Sequence, residues 1–349
     1  MEPFQELEKT FGEWVGWYPE NTVVCSSGTA ALHLALEGLR LPAGAEVIVP
    51  DLTMIACARA VTMAGLVPVF VDCRDDLLID PDRIDEVCSR AGPGRQRGGN
   101  IVAIMPVHIY GRQCDMGAIT DLADKYDLFV IEDLAEAHGV EPHEKSDTAC
   151  WSFYRNKIVA GEEGGAVIFR YPEAAALARQ LRCLGFTDAH DFTHVPRGHN
   201  YRLANCLAEK VLSNFVERNP NEYVVDWNWA RRWQIIQWCD DACPLEWKMP
   251  KRDAPWVYDM RIRGLLKGGL DELVSELHRE GIVARHGFKP CSDQAEYRSG
   301  WGAWKIGGEG DSCARRASRE VFYLPISPGI TTEKNVKRAF QTIHRALGR

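Results

Sequence analysis

No apolar run in the 349 residues approaches the roughly 18–20 needed to cross a bilayer. The run Ile101 to Met105 is typical. The N-terminus, Met-Glu-Pro-Phe-Gln-Glu-Leu-Glu, is acidic and has no apolar signal core, which places the chain in the cytoplasm by expectation. Positive charge is short: 41 Lys and Arg stand against 49 Asp and Glu, a formal net charge of −8. A general nucleic-acid binder needs a basic face to neutralise phosphates, so that class is excluded. Small anionic ligands stay open if positive groups and helix N-termini concentrate in one cleft. The twelve cysteines include no Cys-x-x-Cys pair. The nearest spacing, Cys239 to Cys243, lacks the second ligand pair a zinc site would want, so scattered reduced thiols and no metal are expected. Neither a Walker A loop nor Gly-x-Gly-x-x-Gly occurs, which excludes those two modes of phosphate binding.

What is present is an alternation. Glu46–Pro50, Val67–Val71, Ile101–Met105 and Leu128–Ile131 are short, apolar and rich in β-branched residues. Near-continuous apolar strands belong in a sheet covered on both faces. Helical patterns lie between them, at Asp80–Arg90 and at Asp115–Tyr126 with Asp115 as N-cap. The order predicts an α/β three-layer (α/β/α) domain. A long helix is expected from Leu203 towards Val216. The texture then changes, so the division falls near residue 220: a large domain over 1–220 and a smaller α+β domain over 221–349. The second part holds Trp227, Trp229, Trp233, Trp238, Trp247 and Trp256 within thirty residues, read as core and interface packing, with carbohydrate stacking as the alternative. A helix over Leu270–Arg279, a strand at Ile282–Ala284 and a last helix over Glu333–Leu347 complete it.

Four segments carry chemistry. Cys25–Leu32 is a small-residue turn running into an Ala/Leu-rich helix. Gly28 permits close backbone approach, and the N–H groups after it form an anion site. Asp133 ends the strand after Leu128, where α/β sheets bind ligands; it either faces that crevice or caps a following helix. Lys157 follows an apolar strand and precedes a glycine-rich turn. It is either a surface lysine or a desolvated amine able to form a Schiff base. His199–Ala204 brings an amide, a phenol and a guanidinium to a helix start, or simply caps that helix. A phosphate turn, then an Asp, then a Lys 24 residues later is the part list of a pyridoxal 5'-phosphate (PLP) enzyme.

On Ser27–His33, Glu46–Thr53, Pro106–Gly111, Glu132–Gly139, Ser152–Lys157, Glu163–Gly165 and Asn200–Arg202 the sequence resembles the DegT/StrS family of sugar aminotransferases, well over residues 5–217 and more loosely at 281–290 and 324–329. The resemblance implies a fold type I PLP-dependent transferase. It implies that Lys157 holds the cofactor and moves protons, and that Asp133 pairs with the pyridine nitrogen. Glu136 would lie near the ring hydroxyl, where many relatives carry Gln or His. Gly28, Thr29 and Ser152 would hold the phosphate, and Met54 would stand where an aromatic often stacks on the ring. His108 and Tyr110 would line the substrate side. Asn200 would reach the phosphate of a neighbouring subunit, making a homodimer with shared active sites. L-glutamate and a nucleotide-linked keto sugar are the implied substrates. Glu136 and the phrase Phe153–Ile158 are most similar to members that aminate GDP-4-keto-6-deoxymannose. Family members usually carry a further N-terminal segment near the active site, so the substrate walls are expected to differ here. A cyclitol ketone as acceptor, or a PLP-binding regulatory protein without turnover, remain the alternatives.

Overall fold

The computed structural model describes residues 1–91, 100–187, 192–219, 222–225, 228–264, 269–298, 305–306 and 311–348. Its centre is an eight-stranded sheet. The strands in chain order are β1 (Thr22–Cys25), β2 (Glu46–Pro50), β3 (Val67–Val71), β4 (Ile101–Ile104), β5 (Phe129–Asp133), β6 (Thr148–Ser152) and β7 (Gly165–Phe169). A hairpin of β8 (Phe215–Asn219) and β9 (Glu222–Val225) follows. Then come β10 (Val257–Arg261), β11 (Arg285–His286), β12 (Lys305–Ile306) and β13 (Val321–Pro325). The large sheet reads β1-β7-β6-β5-β4-β2-β3-β12, with β7 running against all the others.

Strand periodicity explains the layering. Val24, Ile48, Val69, Ile104, Val130, Ala149 and Ile168 point into one buried cluster, together with Leu7, Phe11, Ile84 and Ile119 from helices. Their neighbours Val23, Val47, Val49, Phe70, Ala103, Ile131, Cys150 and Val167 point into a second cluster, with Ala31, Leu34, Val61 and Ala178. Side chains alternate with a period of two, so a strand apolar at every position must be covered twice. That is the three-layer arrangement expected from the sequence. Asp115 caps its helix, Met116–Tyr126, by accepting the Ala118 N–H at 3.2 Å.

A smaller unit is built on the sheet β10-β13-β11. Helices Asn228–Ala242, Gly269–Arg279 and Glu333–Ala346 pack a third cluster with it, through Ile235, Tyr258, Leu277, Phe322 and Phe340. Trp247 and Trp256 are buried, and Trp229, Trp233 and Trp238 are partly buried against core clusters, which is packing rather than an open stacking surface. Trp227 lies outside the described residues, as do residues 220 and 221 where the sequence puts the domain boundary. We propose that division, with the cores shared across it: Cys291 and Tyr297 enter the second large-unit cluster, Trp256, Val257, Ala314 and Val321 enter the first, and β12 pairs in parallel with β3.

Two expectations are corrected. The helix from Leu203 to Val216 is the short Asn205–Leu212, because Phe215 and Val216 pair with Val225 and Val224 in the hairpin. The strand expected at Ile282–Ala284 pairs with no other strand among the described residues. Ile282 and Ala284 are buried there, and the paired strand is only Arg285–His286. All twelve cysteines are free, and Cys239 and Cys243 are buried.

The two units are clamped by a buried ion cluster. Arg112, from the large unit, meets both carboxylate oxygens of Asp259 on β10 at 2.6 and 2.7 Å, and Arg252 reaches the same carboxylate at 2.8 Å. Burial alone would raise the Asp259 pKa, but the two guanidinium groups outweigh it and leave it below the usual value. A carboxylate with a lowered folded pKa stabilises the fold above its unfolded pKa and loses that contribution as pH falls through the folded one. Asp259→Ala leaves two buried cations unpaired and should cost about 3–5 kcal/mol. Chemical denaturation at neutral pH tests this; a variant as stable as the parent would contradict the clamp.

Candidate active site

The carboxyl ends of β5 and β6 open on a cavity of about 350 Å³. The large unit contributes Ser27, Gly28, Thr29, Met54, Asp133, Glu136, Ser152 and Lys157 to its lining, and the small unit closes it with Trp256, Phe288 and Tyr323. Helix Gly28–Gly38 begins at the wall. Ser27 is its N-cap, accepting the Ala30 N–H at 3.1 Å, which leaves the first N–H groups directed outward. A Cβ on Gly28 would lie 2.7 Å from Cβ of Ser152. Only glycine lets the helix start approach the β6 hydroxyl this closely, and the two together make an anion cradle.

Asp133 ends β5 and is buried. Its Oδ1 accepts the Ala135 N–H at 2.9 Å and its Oδ2 accepts the Cys57 S–H at 3.1 Å. A turn follows it, so it caps no helix and its carboxylate is held on the cavity floor. Sequence reasoning missed Cys57, which is 76 positions away and lies in no motif.

Lys157 sits in the turn after β6. Its backbone is fixed at three points: its N–H donates to Tyr154 O at 2.8 Å, its carbonyl accepts from Arg232 at 3.0 Å, and the preceding Asn156 carbonyl accepts from the Trp256 indole at 3.0 Å. Arg232 is buried and also bridges to the carbonyls of Trp256 and Ile326. Burial lowers its pKa to about 10. The Lys157 Nζ lies 4.1 Å from the centre of the Trp256 ring and 3.9 Å from Oε1 of Glu136. Burial lowers the lysine pKa, against the opposing charges of Glu136 and Asp133. Burial pushes Glu136 up to about 7, against the pull of Lys157. Desolvation favours the neutral, nucleophilic form of such an amine. Arg232 and Trp256 were also missed; the tryptophan cluster marked packing but not this contact.

Met54 is 51% exposed and lines the mouth. Asn200 is exposed and is not part of this chain's own lining. His108 and Tyr110 stand behind the wall, both 0% exposed. The His108 Nδ1 accepts the Cys114 N–H at 3.0 Å, so its Nε2 carries the hydrogen donated to Glu132 at 2.8 Å. Tyr110 donates its backbone N–H to Glu136 at 2.8 Å, and its hydroxyl accepts the Phe288 N–H at 3.1 Å. They position β5, Glu136 and the small unit. Among the described residues the charged lining groups of this chain are Lys157, Asp133, Glu136 and Glu163, with the helix start at Gly28 beside them.

The sequence profile of the DegT/DnrJ/EryC1/StrS aminotransferase family matches residues 2–343. The chain belongs to that family. It is 33% identical to a GDP-perosamine synthase of Caulobacter vibrioides, over 98% of this chain and 89% of that one. It is 37% identical to a dTDP-3-amino-3,4,6-trideoxy-alpha-D-glucose transaminase of Streptomyces venezuelae, over 93% and 82%. A DegT/DnrJ/EryC1/StrS aminotransferase of Brucella abortus shares the fold, with a TM-score of 0.82 at 23% identity over 99% of this chain and 91% of that one. Like other DegT members the enzyme is a PLP-dependent sugar aminotransferase. Its fold is the fold type I arrangement. The cavity fits the cofactor: an amine for the aldehyde, a carboxylate for the ring nitrogen, and the Gly28–Ser152 cradle for the phosphate. Among the described residues no helix is long and apolar enough to cross a membrane.

Two outcomes test this arrangement. Asp133→Ala should retain PLP but lose at least about 100-fold in turnover; normal turnover would remove Asp133 from the site. In Glu136→Gln the carboxylate no longer holds the lysine pKa up, so capture of PLP by the apoenzyme should keep its rate at lower pH than in the parent. An unchanged pH profile would contradict the 3.9 Å coupling.

Proposed function

We propose that the enzyme transfers the amino group of L-glutamate to the keto group of a nucleotide-linked deoxysugar, with GDP-4-keto-6-deoxymannose as acceptor and GDP-perosamine as product. The two half-reactions share one site, so the cycle is ping-pong. Bound PLP supplies an electron sink that stabilises negative charge on the carbon losing its proton.

The protein supplies the rest. Lys157 attaches the cofactor and carries the proton, because burial favours its neutral amine. Asp133 would accept the hydrogen bond of a protonated ring nitrogen; its Oδ2 partner is a thiol, a weak donor that leaves the carboxylate free to take the stronger one. Glu136, which burial brings to about 7, would hold or release a proton on the cofactor side of Lys157. The first N–H groups of helix Gly28–Gly38, with Thr29 and Ser152, bind the phosphate. Trp256, Phe288 and Tyr323 exclude water from the amine side. Because the cavity lining among the described residues carries a single cation, the second anionic ligand favours a homodimer in which Asn200, exposed here, reaches across.

The near full-length likeness to the Caulobacter vibrioides GDP-perosamine synthase carries the choice of sugar. The Streptomyces venezuelae relative, named for a dTDP-linked sugar, sets the competing choice. Initial rates with glutamate and a panel of GDP-, dTDP- and UDP-linked keto sugars separate them. The GDP-linked 4-keto sugar should lead in kcat/KM by roughly tenfold or more. A lead for a dTDP-linked sugar, or for a cyclitol ketone, would overturn the substrate. Failure of glutamate to convert the bound cofactor to its amine form would overturn turnover altogether.

A further inference from the structure

Outside the PLP cavity, the same helix that starts at Gly28 carries His33 and Glu37, four positions apart on one face. His199, one residue before Asn200, meets them from a distant segment. Its Nε2 lies 2.6 Å from Oε2 of Glu37, and the His33 Nε2 lies 3.9 Å from Oε1 of the same carboxylate. One ligand atom from each of the three lies within 4.8 Å of the others. Two atoms bound tetrahedrally at about 2.1 Å sit roughly 3.4 Å apart, so small rotamer adjustments would bring all three to one centre.

The polar groups around His33 leave a place for a cation there. His33 is 3% exposed, and its Nδ1 is engaged at 3.1 Å by the Tyr201 hydroxyl. With the hydrogen on Nδ1, Nε2 turns a lone pair towards Glu37, and among the described residues this buried atom has no hydrogen-bond partner by distance and angle. The Met63 carbonyl is the other polar group beside the ring. An unpaired acceptor facing a carboxylate is repulsive unless a positive centre stands between them. Tyr201 also stacks on His199, centroids 4.7 Å apart, which orients that ring. A ligand held by a second-sphere hydroxyl, a carboxylate and a second imidazole is a donor set suited to zinc and its neighbours.

We propose that His33, Glu37 and His199 bind one zinc-type divalent cation, tying the helix of the phosphate cradle to the segment that carries Asn200. The spacing hid it: the His199–Glu37 pair is 162 positions apart.

The test uses the PLP-loaded protein after chelator treatment and dialysis. Titration with Zn²⁺ or Co²⁺ should show one equivalent per chain, with visible ligand-field absorbance for Co²⁺ and a raised Tm. His199→Ala and Glu37→Gln, checked for fold by circular dichroism, should each weaken binding by roughly 100-fold or more. Anomalous density from a crystal of the Co²⁺ form should fall between the three side chains. Absence of stoichiometric uptake by the parent protein overturns the site, and so does density elsewhere or affinity unchanged in both folded variants. None of these readouts depends on the sugar the enzyme uses.

Discussion

A lysine amine and a carboxylate share one buried wall, 3.9 Å apart, with an indole ring on the far side of the amine. Dehydration acts on both in opposite senses. It favours the neutral amine at Lys157 and the neutral acid at Glu136, and brings Glu136 to about 7. In water neither group would be a useful proton carrier at neutral pH. The rest of the structure serves that exclusion of water.

The large unit brings Asp133 and Lys157 to the ends of adjacent strands, and the small unit supplies the lid. Trp256 belongs to the small unit by sequence but to the large-unit core by packing. Its indole holds the turn before Lys157, and its ring covers the amine. Arg232 repeats the link from a helix, through the carbonyls of Lys157, Trp256 and Ile326. The Asp259 cluster then fixes β10 to the large unit through Arg112. Loosening any of these contacts admits water to the amine before it removes a catalytic group.

Much of this was legible in the residues. β-branched runs marked β2, β3 and β4, and Asp115 marked a helix start. The order of the turn, Asp133 and Lys157 marked the cofactor. What was not legible is long-range. The strand Phe215–Asn219 depends on a partner beyond it, so helical periodicity carried the expected helix too far. β12 is two residues long and has no pattern of its own. His108 and Tyr110 match family motifs, but motif identity carries no depth. Only the structure shows the imidazole bonded to Glu132 behind the wall. Cys57, Arg232 and the His33–Glu37–His199 cluster come together through folding alone.

The central claim is that the buried amine of Lys157 is the group that holds the cofactor. Borohydride reduction of the PLP-loaded protein, followed by proteolysis and mass mapping, reads this directly. A single reduced cofactor attached to the peptide containing Lys157 is the predicted result. Attachment to another lysine, or none at all, would contradict it.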